Sequence, residues 1–129
     1  MIVSLKFFTF CFLTLFEVYL DDLKSDSITG LSLNFFHHIF ACIVFFPFLH
    51  GFYKLHLCLV LLTIVNWSLC KNCILSEIVN NYCNTPGRKF QNYHYFITNA
   101  YPINVSTKNQ MISLLTILIL FSTYKIIHY

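Results

Sequence analysis

Four long apolar runs, at 2–20, 31–50, 55–70 and 110–127, take up most of this sequence and constrain what it can become. An α-helix rises about 1.5 Å per residue, so roughly 20 mainly apolar residues reach across the hydrocarbon core of a bilayer. Three runs approach that length, and the third attains it by extending to 72 with Lys71 snorkelling to the surface. Composition closes off the alternatives. The 129 residues are 57% hydrophobic and 10% charged, against roughly 25% charged in an average soluble domain. A chain this short buries only about two thirds of its unfolded surface, so a soluble globule would expose much of its Phe, Leu and Ile. A disordered chain is excluded for the same reason. Eight Lys and Arg against five Asp and Glu give a net charge of +3. They are scattered, with no basic block to grip nucleic acid. The partner that the composition implies is the lipid bilayer, and beyond it a membrane protein or a second copy of the chain.

The expected fold is therefore all-α: one integral membrane domain, 1–129, of four transmembrane helices at about 2–20, 31–50, 55–72 and 110–127. Asp21, Asp22, Lys24, Asp26 and Gly30 separate the first two, and Gly51 to Lys54 make a tight turn between the next two. The first run also has the shape of a signal peptide, with Lys6 before an apolar stretch at 7–16, and its removal would leave three helices. The residues that follow lack the small pair that signal peptidase prefers, which favours a retained helix. The loop 73–109 is not featureless. Ile74, Leu75, Ile78, Val79 and Tyr82 recur at helical spacing, which predicts a short interfacial helix near 76–83 capped by Ser76. Thr85-Pro86-Gly87 predicts a turn, and Tyr93, Tyr95, Phe96 and Tyr101 suit the headgroup layer.

Orientation has opposing signals. Lys6, Lys54 and Lys125 fall on one side, and Lys24, Lys71, Arg88, Lys89 and Lys108 on the other. The positive-inside count alone puts the long loop in the cytoplasm. The sequon at Asn104, a possible glycosylation site, and the loop cysteines suit the opposite side, an oxidising one. The reading adopted is a multi-pass protein with cytosolic termini.

Polar residues inside the runs fall into stripes. His56, Thr63, Asn66, Cys70 and Cys73 lie within a roughly 100° arc of one helix. Asn34, His37, His38, Ala41 and Cys42 share a side of the second run. Ser4, Cys11 and Thr14 do so in the first, and Ser113, Thr116 and Thr123 in the fourth. Small and polar residues are what membrane helices use to meet each other, so each stripe predicts an inward face. Pairing the second and third runs antiparallel about 52–53 sets residue n opposite residue 105 minus n. That register places His38 level with Trp67 and Asn34 level with Lys71. It predicts a membrane-embedded polar cluster of Asn34, His37, His38, His56, Asn66 and Cys73, with Asn34, His37 or His38, Asn66, Cys70 and Cys73 converging near the long-loop end and His50 and His56 meeting at the other end, close to water.

Ionisable side chains inside a span are costly and point to function. His38 is either a neutral imidazole bonded to Asn66 or to a backbone carbonyl, or a ligand or proton-transfer group. Glu17, near a helix end, is expected to reach water. Cys70-Lys71-Asn72-Cys73 is a CxxC with three readings: thiol–disulfide exchange, a zinc site completed by Cys83 and His38 or His94, or two small residues on a packing face. Its place at the C-terminal end of an apolar run works against a reactive thiol, because the helix dipole there disfavours the thiolate. No cofactor is predicted; zinc is the alternative. There is no Ser/His/Asp constellation, phosphate-binding Gly loop or carboxylate pair, which leaves hydrolase and nucleotide chemistry without a foothold.

From the second run onward the chain resembles a family of small bacterial multi-pass membrane proteins of unknown function. In that pattern an apolar helix carries a His. The next begins with His-Leu and ends in a Cys-Pro-Leu-Thr motif with a nearby acid, and His-Tyr-Leu and Tyr-Pro precede the last helix. The matching residues here are His37 or His38, His56-Leu57, Cys73-Ile74-Leu75-Ser76 with Glu77, His94-Tyr95-Phe96, and Tyr101-Pro102. Ile74 stands where the pattern has Pro, Glu77 is shifted from the usual acidic position, and the first run is additional. The resemblance implies a helical membrane module without an assigned activity, and it singles out Cys73 rather than Cys70. The function expected is that of a non-catalytic membrane component acting by helix or partner contacts. The alternative is a thiol-redox or metal-binding protein centred on Cys73, with Cys70, Cys83 and His38.

Overall fold

The computed structural model describes residues 2–70, 73–91 and 107–129. The architecture among them is all-helical: α1 (Ile2–Asp21), α2 (Ile28–Phe45), α3 (Pro47–His50), α4 (Tyr53–Leu69), α5 (Ile74–Tyr82) and α6 (Thr107–His128). Val3–Asp21, Ile28–Phe45 and Asn109–His128 are each long and apolar enough to cross a membrane. The 17 residues of α4 reach that standard only when taken together with α5.

The helix ends follow from local chemistry. α1 stops at Asp21 because Asp22 takes a left-handed conformation, φ 44°, which a short polar side chain tolerates. Ser27 then caps α2, its Oγ accepting from Gly30 N at 3.1 Å, so the helix begins three residues before the apolar run does. The run 31–50 is not one helix. Pro47 has no N–H to offer the Ile43 carbonyl, and its ring disfavours helical geometry at the residue before it. The helix breaks at Phe46 and resumes as α3, which closes on Gly51 at φ 75°.

That break leaves carbonyls at 43 and 44 without helical partners, and two histidines take them up. His50 Nδ1 accepts from Phe52 N at 3.0 Å, so its Nε2–H donates to Ile43 O at 3.1 Å. His56 Nε2–H donates to Val44 O at 2.7 Å, while its Nδ1 accepts from Ser122 Oγ at 2.6 Å. The two rings do approach, with centroids 5.9 Å apart. His56, however, is completely buried rather than near water. The simple hairpin register would set it against residue 49; the break sets it on Val44.

The apolar core lies between α2, α4 and α6, where Val44, Val60, Met111, Leu115 and Leu118 pack together. The inward face of α6 is therefore Met111–Leu115–Leu118–Ser122, whereas Ser113 and Thr116 are exposed and Thr123 is half-buried. Thr116 Oγ1 donates to Ile112 O at 2.8 Å. A hydroxyl satisfied on its own helix does not need an inward face, and that is why the small-polar pattern misidentified this one. On α1, Ser4 is likewise exposed, and the buried positions are Thr14, Glu17 and Asp21.

The short loop helix starts at Cys73, which occupies the N-cap position, and not at Ser76, which lies buried within the first turn. α5 packs on α2, burying Ser76, Val79 and Asn80. The approach is close: a Cβ on Gly30 of α2 would collide with the Cys83 sulfur. Beyond α5 the expected turn is present. Thr85 N donates to Asn80 O at 2.9 Å, Gly87 takes φ 75°, and Arg88 N donates to Thr85 O at 3.2 Å. Asn80 Nδ2 donates to Arg88 O at 2.8 Å, tying the turn to α5.

Candidate functional site: a buried carboxylate–imidazole–guanidinium cluster

Thr14, Glu17 and Asp21 are spaced three and four apart, so they share one face of α1. Asn34, His38 and Cys42 do the same on α2. Where the two faces meet, His38 stands between two carboxylates. Its Nδ1 is 3.0 Å from Glu17 Oε2 and its Nε2 is 3.2 Å from Asp21 Oδ2. The side chains of all three are 0% exposed. Asp21 collects the remaining donors. Arg88 Nη2 pairs with its Oδ1 and also donates to its backbone carbonyl at 3.0 Å. Gln91 N donates to Oδ1 at 2.9 Å, and Asn34 Nδ2 to Oδ2 at 2.9 Å. Around Glu17, the Cys42 thiol lies at 3.8 Å. Phe90 covers the pair of histidines, its ring centroid 3.7 Å from that of His37 and 4.4 Å from that of His38.

The hydrogen-bond arithmetic fixes how many protons this cluster holds. An ionised carboxylate only accepts, and a neutral imidazole has one donor. Both ring nitrogens of His38 face carboxyl oxygens, so both contacts are hydrogen bonds only if Glu17, His38 and Asp21 share two protons. Either the ring is an imidazolium between two carboxylates, or it is neutral with one carboxyl protonated. With Arg88 the sum of charges is zero in both cases. Burying uncompensated charge costs several kcal/mol per ion, by order of magnitude, and neutrality of the set is what makes this burial tolerable.

Several sequence expectations change here. Glu17 does not reach water; it is buried against His38 because the α1 face that carries it packs on α2. A carboxylate pair does exist, formed across the imidazole. His38 is bonded neither to Asn66 nor to a carbonyl. The expected polar cluster divides in two. Asn34, His37, His38 and Cys73 gather at the loop end, with Cys73 Sγ 3.5 Å from His37 Nε2. His56 belongs to the other end, with Ser122 and Val44. Among the described residues no side-chain hydrogen bond joins Asn66 to either group, and its buried amide oxygen has no partner. The zinc donors are not brought together. Cys83 lies on Gly30, both nitrogens of His38 are occupied, the described cysteines are free, and no group of three or more potential ligands forms among the described residues. Asn104, His94 and Tyr101-Pro102 lie outside the described residues, and so does Lys71.

Glu17, Asp21 and Arg88 are the functional candidates that the sequence reading missed. The first two had a signal, since extending the α1 stripe from Thr14 by three and four residues reaches both. Arg88 had none, because its position depends on the Asn80-braced turn. Comparison with protein families, with curated proteins and with solved structures finds no match to this chain.

Proposed function

We propose that the chain is a multi-pass integral membrane protein of four spans that works as a non-catalytic membrane component, through contacts of its helices with one another and with neighbours in the bilayer. The observation that carries this reading is the division of its surface. Glu17 and Asp21 of α1 and Asn34 and His38 of α2 are turned inward on one another, whereas Phe7, Phe8, Phe12, Leu15, Phe16 and Tyr19 of α1 are exposed. Ionisable groups that face a bundle interior and are paired there fit an intramembrane setting, and an apolar face of this extent fits lipid or another membrane helix. The full chain is expected to resist alkaline carbonate extraction and to float with lipid. Single engineered cysteines at the outward positions are expected to crosslink to a neighbour or to remain shielded by lipid. Release into the soluble fraction would overturn the membrane reading. Ready labelling of the α1 face by an impermeant thiol reagent would overturn its burial in lipid or against a partner.

A second reading, thiol chemistry at Cys73, has one observation in its favour. Cys73 lies at the N-terminus of α5 rather than only at the end of the preceding run, and His37 Nε2 faces its sulfur. Thiol chemistry uses such an arrangement, a sulfur at a helix N-terminus within reach of an imidazole nitrogen. Alkylation of the purified chain with and without reductant and chelator, read by peptide mass at each cysteine, tests it. Equal labelling of Cys73 and Cys58 under all conditions would sink it.

A further inference from the structure

The geometry points to Glu17, His38 and Asp21 as a proton relay, carrying a proton across one turn of α1 between the loop end of the bundle and its interior. Two protons distributed over three groups leave two arrangements of equal net charge. In one, the Asp21 carboxyl donates to Nε2 while Nδ1–H donates to Glu17. In the other, Nε2–H donates to Asp21 and the Glu17 carboxyl donates to Nδ1. Moving each proton along its own hydrogen bond, 3.2 Å and 3.0 Å between heavy atoms, converts the first into the second. The imidazolium between two carboxylates is the intermediate. No bond other than O–H and N–H changes, no electrons are transferred, and the net result is one proton moved from Asp21 to Glu17. Resetting the site takes both loss of the Glu17 proton inward with gain of another at Asp21, and a flip of the ring that returns its N–H to the Glu17 side.

The groups facing the relay define its two ends. Asp21 is bounded by Arg88, Asn34 and the backbone N–H of Gln91. Glu17 is bounded by Cys42 on α2, and Thr14 continues the buried face of α1 one turn further in. His37 lies beside His38 beneath Phe90, and the start and end of α5 place Cys73 on His37 and Cys83 on Gly30 of α2. Arg88 stabilises Asp21 as a carboxylate and so biases the proton toward His38 and Glu17. It is a positioning residue. Two carboxylates would balance Arg88 and a protonated His38 in a structural set as well; what the relay uses is their placement on opposite ring nitrogens, which gives each of the two protons an acceptor across the ring.

The relay requires insertion in a membrane, so insertion and conduction are read on the same sample. The full chain is reconstituted in phosphatidylcholine–phosphatidylglycerol vesicles holding a pH-sensitive dye. Flotation scores insertion, and a potassium gradient with valinomycin drives proton uptake. Uptake above that of protein-free vesicles is expected, with loss to the protein-free rate for Glu17→Gln and His38→Gln. Arg88→Gln is expected to slow it, and the exposed Lys54→Gln to leave it unchanged. Infrared spectra of the unmodified chain are expected to show a buried protonated carboxyl that disappears in Glu17→Gln. Failure to float overturns the membrane reading. A floating chain that conducts no protons and shows no protonated carboxyl overturns the relay alone, as does conduction indifferent to His38→Gln.

Discussion

His38 and His56 are both completely buried, on neighbouring helices, and their surroundings differ in kind. His56 donates to a backbone carbonyl and accepts from the Ser122 hydroxyl, so a neutral ring satisfies everything around it. His38 faces two carboxyl oxygens, and no neutral ring between two carboxylates can satisfy both. The first histidine repairs a helix break and ties α4 to α2 and α6. The second sits in a set of groups that must share protons. Burial alone therefore says little about what a membrane-type histidine does; the identity of the two atoms its nitrogens face decides it.

The sharpest way to break the comparison is to remove one member of each set. His38→Leu leaves two buried carboxylates with a single guanidinium, and is expected to cost about 3–5 kcal/mol of stability. Chemical unfolding in detergent micelles, followed by circular dichroism, measures this. If the cost is no more than that of His56→Leu, the two sites are energetically alike and the contrast fails. Replacing Glu17, Asp21, His38 and Arg88 together by apolar residues of similar size is expected to recover most of that loss. Proton uptake would stay absent, which separates the fold from the relay.

Ser122→Ala is the milder lesion. It deprives His56 Nδ1 of its donor and should cost about 1–3 kcal/mol, with no effect on proton uptake. Gly30→Ala should fall in a similar range, about 1–3 kcal/mol, because the new methyl group must displace the Cys83 sulfur in a packed contact. Thermal unfolding of the two variants side by side checks both values. The smallest effect expected is that of Thr116→Leu, within about 0.5 kcal/mol of the unmodified chain, since this exposed hydroxyl bonds only its own helix. A larger loss would restore the small-polar face of α6 as a contact surface.

Much of the framework is legible in the sequence alone. The apolar runs located α1, α4 and α6 to within a few residues, because helix formation by a long apolar segment is a local matter. The stripe on α2 was read correctly: Asn34, His37, His38, Ala41 and Cys42 are all buried. The same reasoning failed on α6 and on the first half of α1. On α6 the Thr116 hydroxyl bonds the Ile112 carbonyl one turn back, and its position then carries no information about neighbours. Pro47 was a readable signal that the apolar continuity of 31–50 concealed. Cys73 changed meaning because it belongs to the start of α5, which the CxxC spacing alone does not disclose.

By itself, then, the sequence determined a strongly apolar helical chain, the approximate positions of its long helices, and the polar face of α2. These depend on composition and on a period of 3.6 residues, which are properties of each segment alone. Only the tertiary structure decided what those faces meet. Glu17 and Asp21 become partners of His38 because α1 docks on α2. Arg88 reaches Asp21 because Asn80 braces a turn more than 60 residues away in the chain. Cys73 is set on His37, and His56 on the carbonyl that the Pro47 break exposes. Each is a contact between segments distant in sequence, and no local propensity encodes it.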